Sequence, residues 1–357
     1  MGLNILITGA AGYIGGTVLA DFIARTDGPI KDSKISAAVR TPEQVQALAK
    51  LGVNVIQVDL TDEAAVLKAA LDNQIDLVVH TATSMDTRQP SNLISALGQS
   101  RKLTGEDKYF IHTSVTTMYS VEGGWPFGEI EDTDHVYEKE IQIEKGNPVR
   151  DLNIFVVEHA KSLGVMSFIV PVPFVYGIGT GEWRKLCVHL PSHIRAFIKH
   201  KKVYIFDKEG SPPAAHVTDV ASFYGLLTEH ILRKETIPSG KNGYYFITAH
   251  TSPWWSVMQR VGDALYARGL VTEAKPHTWP SDEMAAEALG LPLLYIRAIE
   301  TSSGDMIGIN AQQLGWKPKW NQDRYLNNMD VEVKGVLEMD EMKPSLLQKL
   351  LESEKSA

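Results

Sequence analysis

Three glycines near the amino terminus, Gly9, Gly12 and Gly15, have the spacing of a phosphate cradle. Gly9 permits a turn that a Cβ would block, Gly12 lets the backbone approach a pyrophosphate, and Gly15 lets a helix pack close on a sheet. The helix that follows offers unpaired N–H groups and the positive end of its dipole to a phosphate, with Tyr13 and Ile14 in its first turn. A second feature of this chemistry is Val39-Arg40. An acidic residue at the end of the second strand bonds both adenosine ribose hydroxyls and selects NAD, whereas a basic one pairs with a 2′-phosphate and selects NADP. Arg40 therefore points to NADP, with NAD the alternative; read plainly, it is a solvated arginine at a strand end. Asp59 is placed either to bond an adenine amino group or to cap the next helix, a role for which Thr61 and Asp62 compete. Thr81, Ala82 and Thr83 are small enough to let the chain pass close beneath a nicotinamide ribose.

The elements that must hold these residues are legible as an alternation. Apolar runs at 3–7, 35–39, 53–58, 75–79, 109–112 and 165–171 read as buried strands, and helical stretches at 13–25, 63–71, 92–104 and 148–163 lie between them. Thr41, Pro42 and Glu43 open a further helix as N-cap, first position and first-turn acid. This predicts an α/β chain built on a Rossmann, doubly wound parallel sheet. With 357 residues, 44% of them apolar and 22% charged, the chain suffices for one large or two fused domains with a sizeable core. A net charge of -8 argues against a general nucleic-acid binder. The single cysteine, Cys187, reads as a packed thiol, excludes an internal disulfide and fits a reducing cytoplasm. No run approaches the ~20 apolar residues of a membrane span, and a strand starting at residue 3 leaves no room for a signal peptide.

Taken together, the motifs resemble the extended short-chain dehydrogenase/reductase superfamily. Thr8-Gly9-Ala10-Ala11-Gly12-Tyr13-Ile14-Gly15 matches its T-G-x-x-G-x-x-G, and Val58-Asp59-Leu60 its V-D-L. Pro171-Val172-Pro173-Phe174-Val175-Tyr176-Gly177 is similar to its R-P-x-x-V-Y-G, with Val170 replacing the arginine, and His216-Val217-Thr218-Asp219-Val220-Ala221 to its H-V-x-D-V-A. Gly243-Tyr244-Tyr245-Phe246 and Gly315-Trp316-Lys317-Pro318 resemble later family motifs. The branch most resembled is the atypical, epimerase/dehydratase-like group of fungal type. The resemblance implies a Rossmann domain over 1–177, completed by segments returning near 203–250, and a smaller C-terminal α/β substrate domain, mainly 178–357. It also implies that Leu60, Pro171, Phe174 and Val175 line the cofactor.

The family's catalytic set is a serine or threonine, a tyrosine and, four residues on, a lysine. Tyrosine moves a proton to or from the substrate oxygen, lysine lowers its pKa and holds the ribose, and the hydroxyl orients the substrate. This chain departs from that set. Val149 occupies the tyrosine position and has no proton to give; Asn153 occupies the lysine position, where it can still bind the cofactor through a ribose hydroxyl but carries no charge. Val115 stands at the serine position beside Ser114, Thr116 and Thr117. Ser114, Thr116 and Tyr119 are the replacement candidates; Tyr137 and Tyr176 read as packed aromatics.

Other features have plainer readings. Residues 122–146 read as a flap beside the pocket or a solvated excursion, and 177–184 as a substrate-facing turn in which Arg184 either holds an anion or is an ordinary surface arginine. The 200–202 cluster is dipole-favourable at the end of a helix over 186–200. Helices are also expected over 220–232, over 254–268 (where Trp254 and Trp255 pack), from Ser281 as N-cap, and in the tail over 325–351. The 11 histidines show no H-E-x-x-H or similar metal spacing, so no metal is expected. Three functions compete: an NADP(H) oxidoreductase acting on a small or medium organic carbonyl or alcohol, a redox-neutral isomerase, epimerase or cyclase, and a catalytically inactive NADP sensor. The resemblance further implies homodimerisation through the helices at 92–104 and 148–163.

Overall fold

The computed structural model describes residues 3–339. Its central sheet is parallel, with β1 (Asn4–Thr8), β2 (Lys34–Val39), β3 (Asn54–Gln57), β4 (Leu77–His80) and β5 (Tyr109–Val115) alternating with helices. Those helices are α1 (Tyr13–Ala24), the short α2 (Gly28–Lys31), α3 (Pro42–Ala49), α4 (Glu63–Asp72) and α5 (Arg88–Thr104). After β6 (Ile130–Glu131), α6 (Val136–Glu140) and α7 (Pro148–Ser162), β7 (Met166–Val172) completes the order β3-β2-β1-β4-β5-β7. The chain starts in the middle of the sheet and winds outward both ways, so the strand order reverses between β1 and β4. A crevice opens at the carboxyl ends of strands at such a switch point. Ile5, Leu6 and Ile7 are buried because helices cover both faces of the sheet.

Local chemistry sets the helix starts. Thr41 and Gln44 form a reciprocal capping box on α3. Asp62, rather than Asp59, caps α4 by accepting from the Ala65 N–H at 3.0 Å. Helix α5 starts earlier than its apolar period suggests, because Pro90 is tolerated within its first turn.

One apolar cluster packs Val18, Leu19 and Phe22 of α1 beneath Val220, Phe223, Tyr224 and Leu227 of a later helix, and a second lies under α5 and α7 on the other face. That later helix is α9 (Val217–Leu232), reached through β8 (Phe174–Tyr176), α8 (His189–His200), β9 (Tyr204–Ile205) and β10 (Pro213–His216). Arg25 of α1 donates to Glu229 of α9 at 2.6 Å. The backbone at 243–245 returns to β7 and brackets Ile169 with two hydrogen bonds, 2.7 and 2.9 Å.

A third apolar cluster gathers α8 with α10 (Trp254–Ala267), α11 (Asp282–Leu289) and α12 (Ile296–Glu300); the short strands β11 (His250–Thr251) and β12 (His277–Thr278) fall in the same stretch of chain. The chain closes with β13 (Met306–Ile307), α13 (Ile309–Gln313), α14 (Gln322–Asn327) and α15 (Met329–Glu338). The expected tail helix is thus two helices as far as Glu338, and its part beyond 339 lies outside the described residues. Asp219 ties this end to α9: its carboxylate accepts from the N–H groups of Lys319 and Trp320, both at 2.9 Å, and its carbonyl from the Trp316 indole at 3.0 Å.

The excursion at 122–146 is anchored to the core at several points, while 126–129 and 144–146 are exposed. Trp125, Ile130, Asp132, Val136, Tyr137 and Glu140 are all buried, and β6 pairs with β13. Asp132 pins it by accepting from the backbone N–H groups of Phe246, Ile309 and Asn310 at 2.9–3.0 Å. Its glycines and acidic run suggested solvent because the partners lie far away in sequence.

Candidate functional site

The switch point brings Thr8 beside His80 at the ends of β1 and β4. Gly9 follows in the left-handed region, at φ +69°, where an L side chain is strained. A Cβ on Gly12 would lie 2.9 Å from the Gly9 carbonyl oxygen, and one on Gly15 would collide with that oxygen and with the Thr81 hydroxyl. The Thr81 hydroxyl donates to the Thr8 carbonyl at 2.7 Å, stapling β4 to β1. No side chain caps the start of α1 at Gly12, unlike α3 and α4. Its first-turn N–H groups therefore have no side-chain cap at Gly12.

The Tyr13 hydroxyl points elsewhere, donating to the Gly177 carbonyl at 2.6 Å. The loop that follows Gly177 lies directly on α1. A Cβ on Gly179 would approach Thr17 Oγ1 at 2.8 Å, and one on Gly181 the Gly16 carbonyl carbon at 2.8 Å. The glycines of the expected substrate-facing turn are thus required by backbone-to-helix packing.

At the other end of the crevice Arg40 is exposed. Its N–H donates to Gln44 at 2.9 Å, and its carbonyl accepts from Gln57 at 3.3 Å. Asp59 is exposed and accepts from the Thr61 N–H at 2.9 Å and hydroxyl at 2.8 Å. Those bonds, with Arg40 and Arg88 nearby, hold its carboxyl below the usual range. Leu60 anchors the same turn by accepting from Asn92 at 3.0 Å, and the Thr83 hydroxyl accepts from the N–H groups of Met85 and Asp86, both at 3.2 Å. Ala82 is half-buried between these anchors. Pro171, one residue before the end of β7, lies opposite Ser114, while Phe174 and Val175 lie on β8 opposite Ala214 and Ala215.

The corner around the first turns of α7 is closed. Val149 and Asn153 are buried on α7, which Asn147 caps by accepting from the N–H groups of Val149 and Arg150. Asn153 faces Glu140, a buried carboxylate that sequence reasoning missed. Glu140 accepts from the Tyr244 hydroxyl at 2.6 Å, the Tyr119 hydroxyl at 2.9 Å and the Asn153 amide at 3.0 Å. Burial pushes the Glu140 carboxyl up to about 7 against the pull of these donors. Burial, followed by Glu140, pushes the Tyr119 hydroxyl well above its ordinary range. Ser114 is buried with its hydroxyl unpartnered by protein, and Thr116 is buried in the short 3-10 turn Thr116–Tyr119. Tyr137 donates to Glu158 at 2.9 Å, and the Tyr176 hydroxyl pairs with His250 at 2.8 Å, so both are packed aromatics. Burial pushes the Cys187 thiol up to about 12, as expected of a packed thiol.

A second buried cluster escaped the sequence reading. His189 and His193, one turn apart on α8, turn both Nε2 atoms toward Glu300 at the end of α12, at 2.6 and 3.1 Å. The H-x-x-x-H spacing on a helix was a signal, but the carboxylate lies 107 residues beyond His193.

Residues 2–142 match the NmrA-like family, a segment that ends before Val149 and Asn153. Over its whole length the chain resembles UDP-glucose 4-epimerase of Thermotoga maritima, with TM-score 0.64 and 17% identity, covering 95% of this chain and 100% of that one. The chain has the extended, Rossmann-like α/β fold of this epimerase. A dTDP-glucose 4,6-dehydratase of Bacillus anthracis, solved in complex with NAD, shares this extended fold with TM-score 0.63 and 14% identity over 98% of this chain and 99% of that one. Quinone oxidoreductase 2 of Escherichia coli is 37% identical over 94 residues, 26% of this chain and 31% of the relative, so the match spans about a third of that protein. No helix among the described residues is long and apolar enough to cross a membrane.

Proposed function

We propose that this chain is an NADP(H)-dependent oxidoreductase acting on a conjugated organic carbonyl of quinone type. The reading is carried by one pairing: an intact, uncapped glycine turn at α1, and an α7 that holds Val149 and Asn153 where a proton-transferring tyrosine and its lysine would stand. The backbone at Gly9, Gly12, Tyr13, Ile14 and Gly15 binds the pyrophosphate, and Arg40 pairs with the 2′-phosphate. Asp59 and Leu60 flank the adenine. Thr81, Ala82 and Thr83 support the nicotinamide ribose, and Pro171, Phe174 and Val175 form the far wall. When bound, the nicotinamide supplies or accepts the hydride.

Ser114 and Thr116 orient the substrate oxygen, and the proton comes from water. A simple ketone reduced by hydride leaves a localised alkoxide that needs a strong acid beside it. A quinone leaves a delocalised phenolate, far less basic, for which water suffices. That chemistry suits a chain without the tyrosine, and the partial similarity to a quinone oxidoreductase supports the same substrate class.

The test is a titration of purified protein with NADPH and NADH, followed by turnover with quinones and simple ketones at the nicotinamide absorbance band. The reading requires tighter NADPH binding and quinone turnover well above ketone turnover. Failure of both nucleotides to bind removes it. A second reading, a nucleotide-sensing protein without catalysis, is favoured by the engagement of Tyr119 and Asn153 with Glu140. Tight NADP binding with no turnover of any acceptor supports that alternative.

A further inference from the structure

We infer that His189, His193 and Glu300 form a binding site for a divalent first-row metal ion of zinc class. Their ligand atoms all lie within 4.8 Å of one another, on side chains drawn from two helices, α8 and α12. His193 and Glu300 are nearly fully buried, and His189 closes the rim at 13% side-chain exposure. Two imidazoles and one carboxylate are the ligand set of sites that keep an open coordination position.

The hydrogen bonds show why positive charge belongs at the centre. His193 Nδ1 lies 3.2 Å from the His189 carbonyl, an acceptor, so that nitrogen carries the proton. The Nε2 of a neutral His193 ring then presents a lone pair to Glu300 Oε2, 3.1 Å away. Two acceptors do not face each other at that distance unless something positive lies between them: a proton on the ring or a shared cation. Separations near 3.1 Å also suit neighbouring ligand atoms on one ion at about 2.0–2.1 Å from each. The bond from His193 Nδ1 is the outer bond that fixes the tautomer and orientation of a ligating histidine.

The surroundings favour a functional ion over a sealed staple. His193 and Glu300 line a cleft together with Tyr204, Phe206, Trp254 and Trp255. This cleft, which Lys208 also lines, has room for about one water beside the two ligands. His189 Nδ1 has no protein partner, so this histidine lacks the outer bond that its neighbour has. Loss of such a partner weakens metal binding by about 10–100-fold, which places the site among exchangeable rather than permanently loaded ones. The proposal is independent of NADP binding.

The test uses full-length protein freed of metal on a chelating resin. It is titrated with cobalt chloride, then with zinc chloride against a chromophoric chelator, with thermal unfolding followed in parallel. The expected result is one saturable cobalt equivalent with the visible d–d bands of a low-symmetry, low-coordinate site. Zinc abolishes those bands and raises Tm. His189→Asn, at the rim, and Glu300→Gln each weaken zinc at least 100-fold, while His277→Asn, on β12, leaves it unchanged. Absence of a saturable cobalt spectrum in the wild-type protein overturns the proposal whatever the variants do. Equal zinc affinity in a folded His189→Asn protein overturns it as well.

Discussion

Helices α1 and α7 both follow strands of the central sheet and begin near its carboxyl edge, yet their first turns are left in opposite chemical states. At α1 no side chain caps the helix, and three glycines keep side chains out of the approach. At α7 Asn147 occupies two of the first N–H groups, and one turn on Asn153 is drawn into Glu140 together with Tyr119 and Tyr244. Close packing therefore has two outcomes: at α1 it leaves backbone donors without a side-chain cap, and at α7 it engages them. The two helix starts are built separately, one open and one closed into the core.

The strongest way to break this comparison is Glu140→Ala. It leaves two tyrosine hydroxyls and an amide buried without an acceptor, at about 1–3 kcal/mol each, so unfolding in urea should reveal a loss of at least about 3 kcal/mol. The folded fraction should bind NADPH within twofold of wild type; a large loss of affinity would mean that the two corners are coupled.

Arg40→Asp tests the other corner. Removing one charge-assisted bond and adding repulsion should weaken NADP by about 10–100-fold, from the ~1.5–3 kcal/mol of hydrogen bonds to charged groups. NAD should change little, as measured by calorimetric titration. Equal losses for both nucleotides would refute the 2′-phosphate role.

A smaller effect is the pH dependence of stability. The folded Glu140 carboxyl is raised from 4.5 to about 7, so its contribution is full below pH 4.5 and is lost as pH rises through about 7. Glu332, raised by burial to about 7, and Asp132, raised to about 6, act in the same direction. Denaturation midpoints should therefore fall between pH 5 and pH 8, and Glu140→Gln should reduce that fall without abolishing it. The mildest change is Asn147→Ala, which uncaps α7 and should cost about 1 kcal/mol without altering nucleotide affinity.

The α1 corner was legible in the sequence because everything that makes it is local. Strand, turn and helix follow within Asn4–Ala24, and the glycine spacing carries its own steric reason. The succession of strands along the chain was legible for the same reason, as were valine at 149 and asparagine at 153. The contacts around those two residues were not. Glu140 meets Tyr244 across 104 residues, and Glu300 meets His193 across 107. A glutamate in an acidic segment looks solvated until its partners are placed beside it. The same holds for Asp132, which made a pinned segment look like a flap. Asp59 and Asp62 were equal candidates for a cap because both precede α4 closely, and only the turn geometry separates them.

The packing of α9 over α1 also bears on how the protein is made. Arg25 waits for Glu229 across 204 residues, and Val18, Leu19 and Phe22 wait with it for their cover. At about 5–20 residues per second, a ribosome leaves that apolar face bare for roughly 10–40 s after it emerges. During that interval the nascent chain is a client for whatever shields greasy surfaces near the exit tunnel.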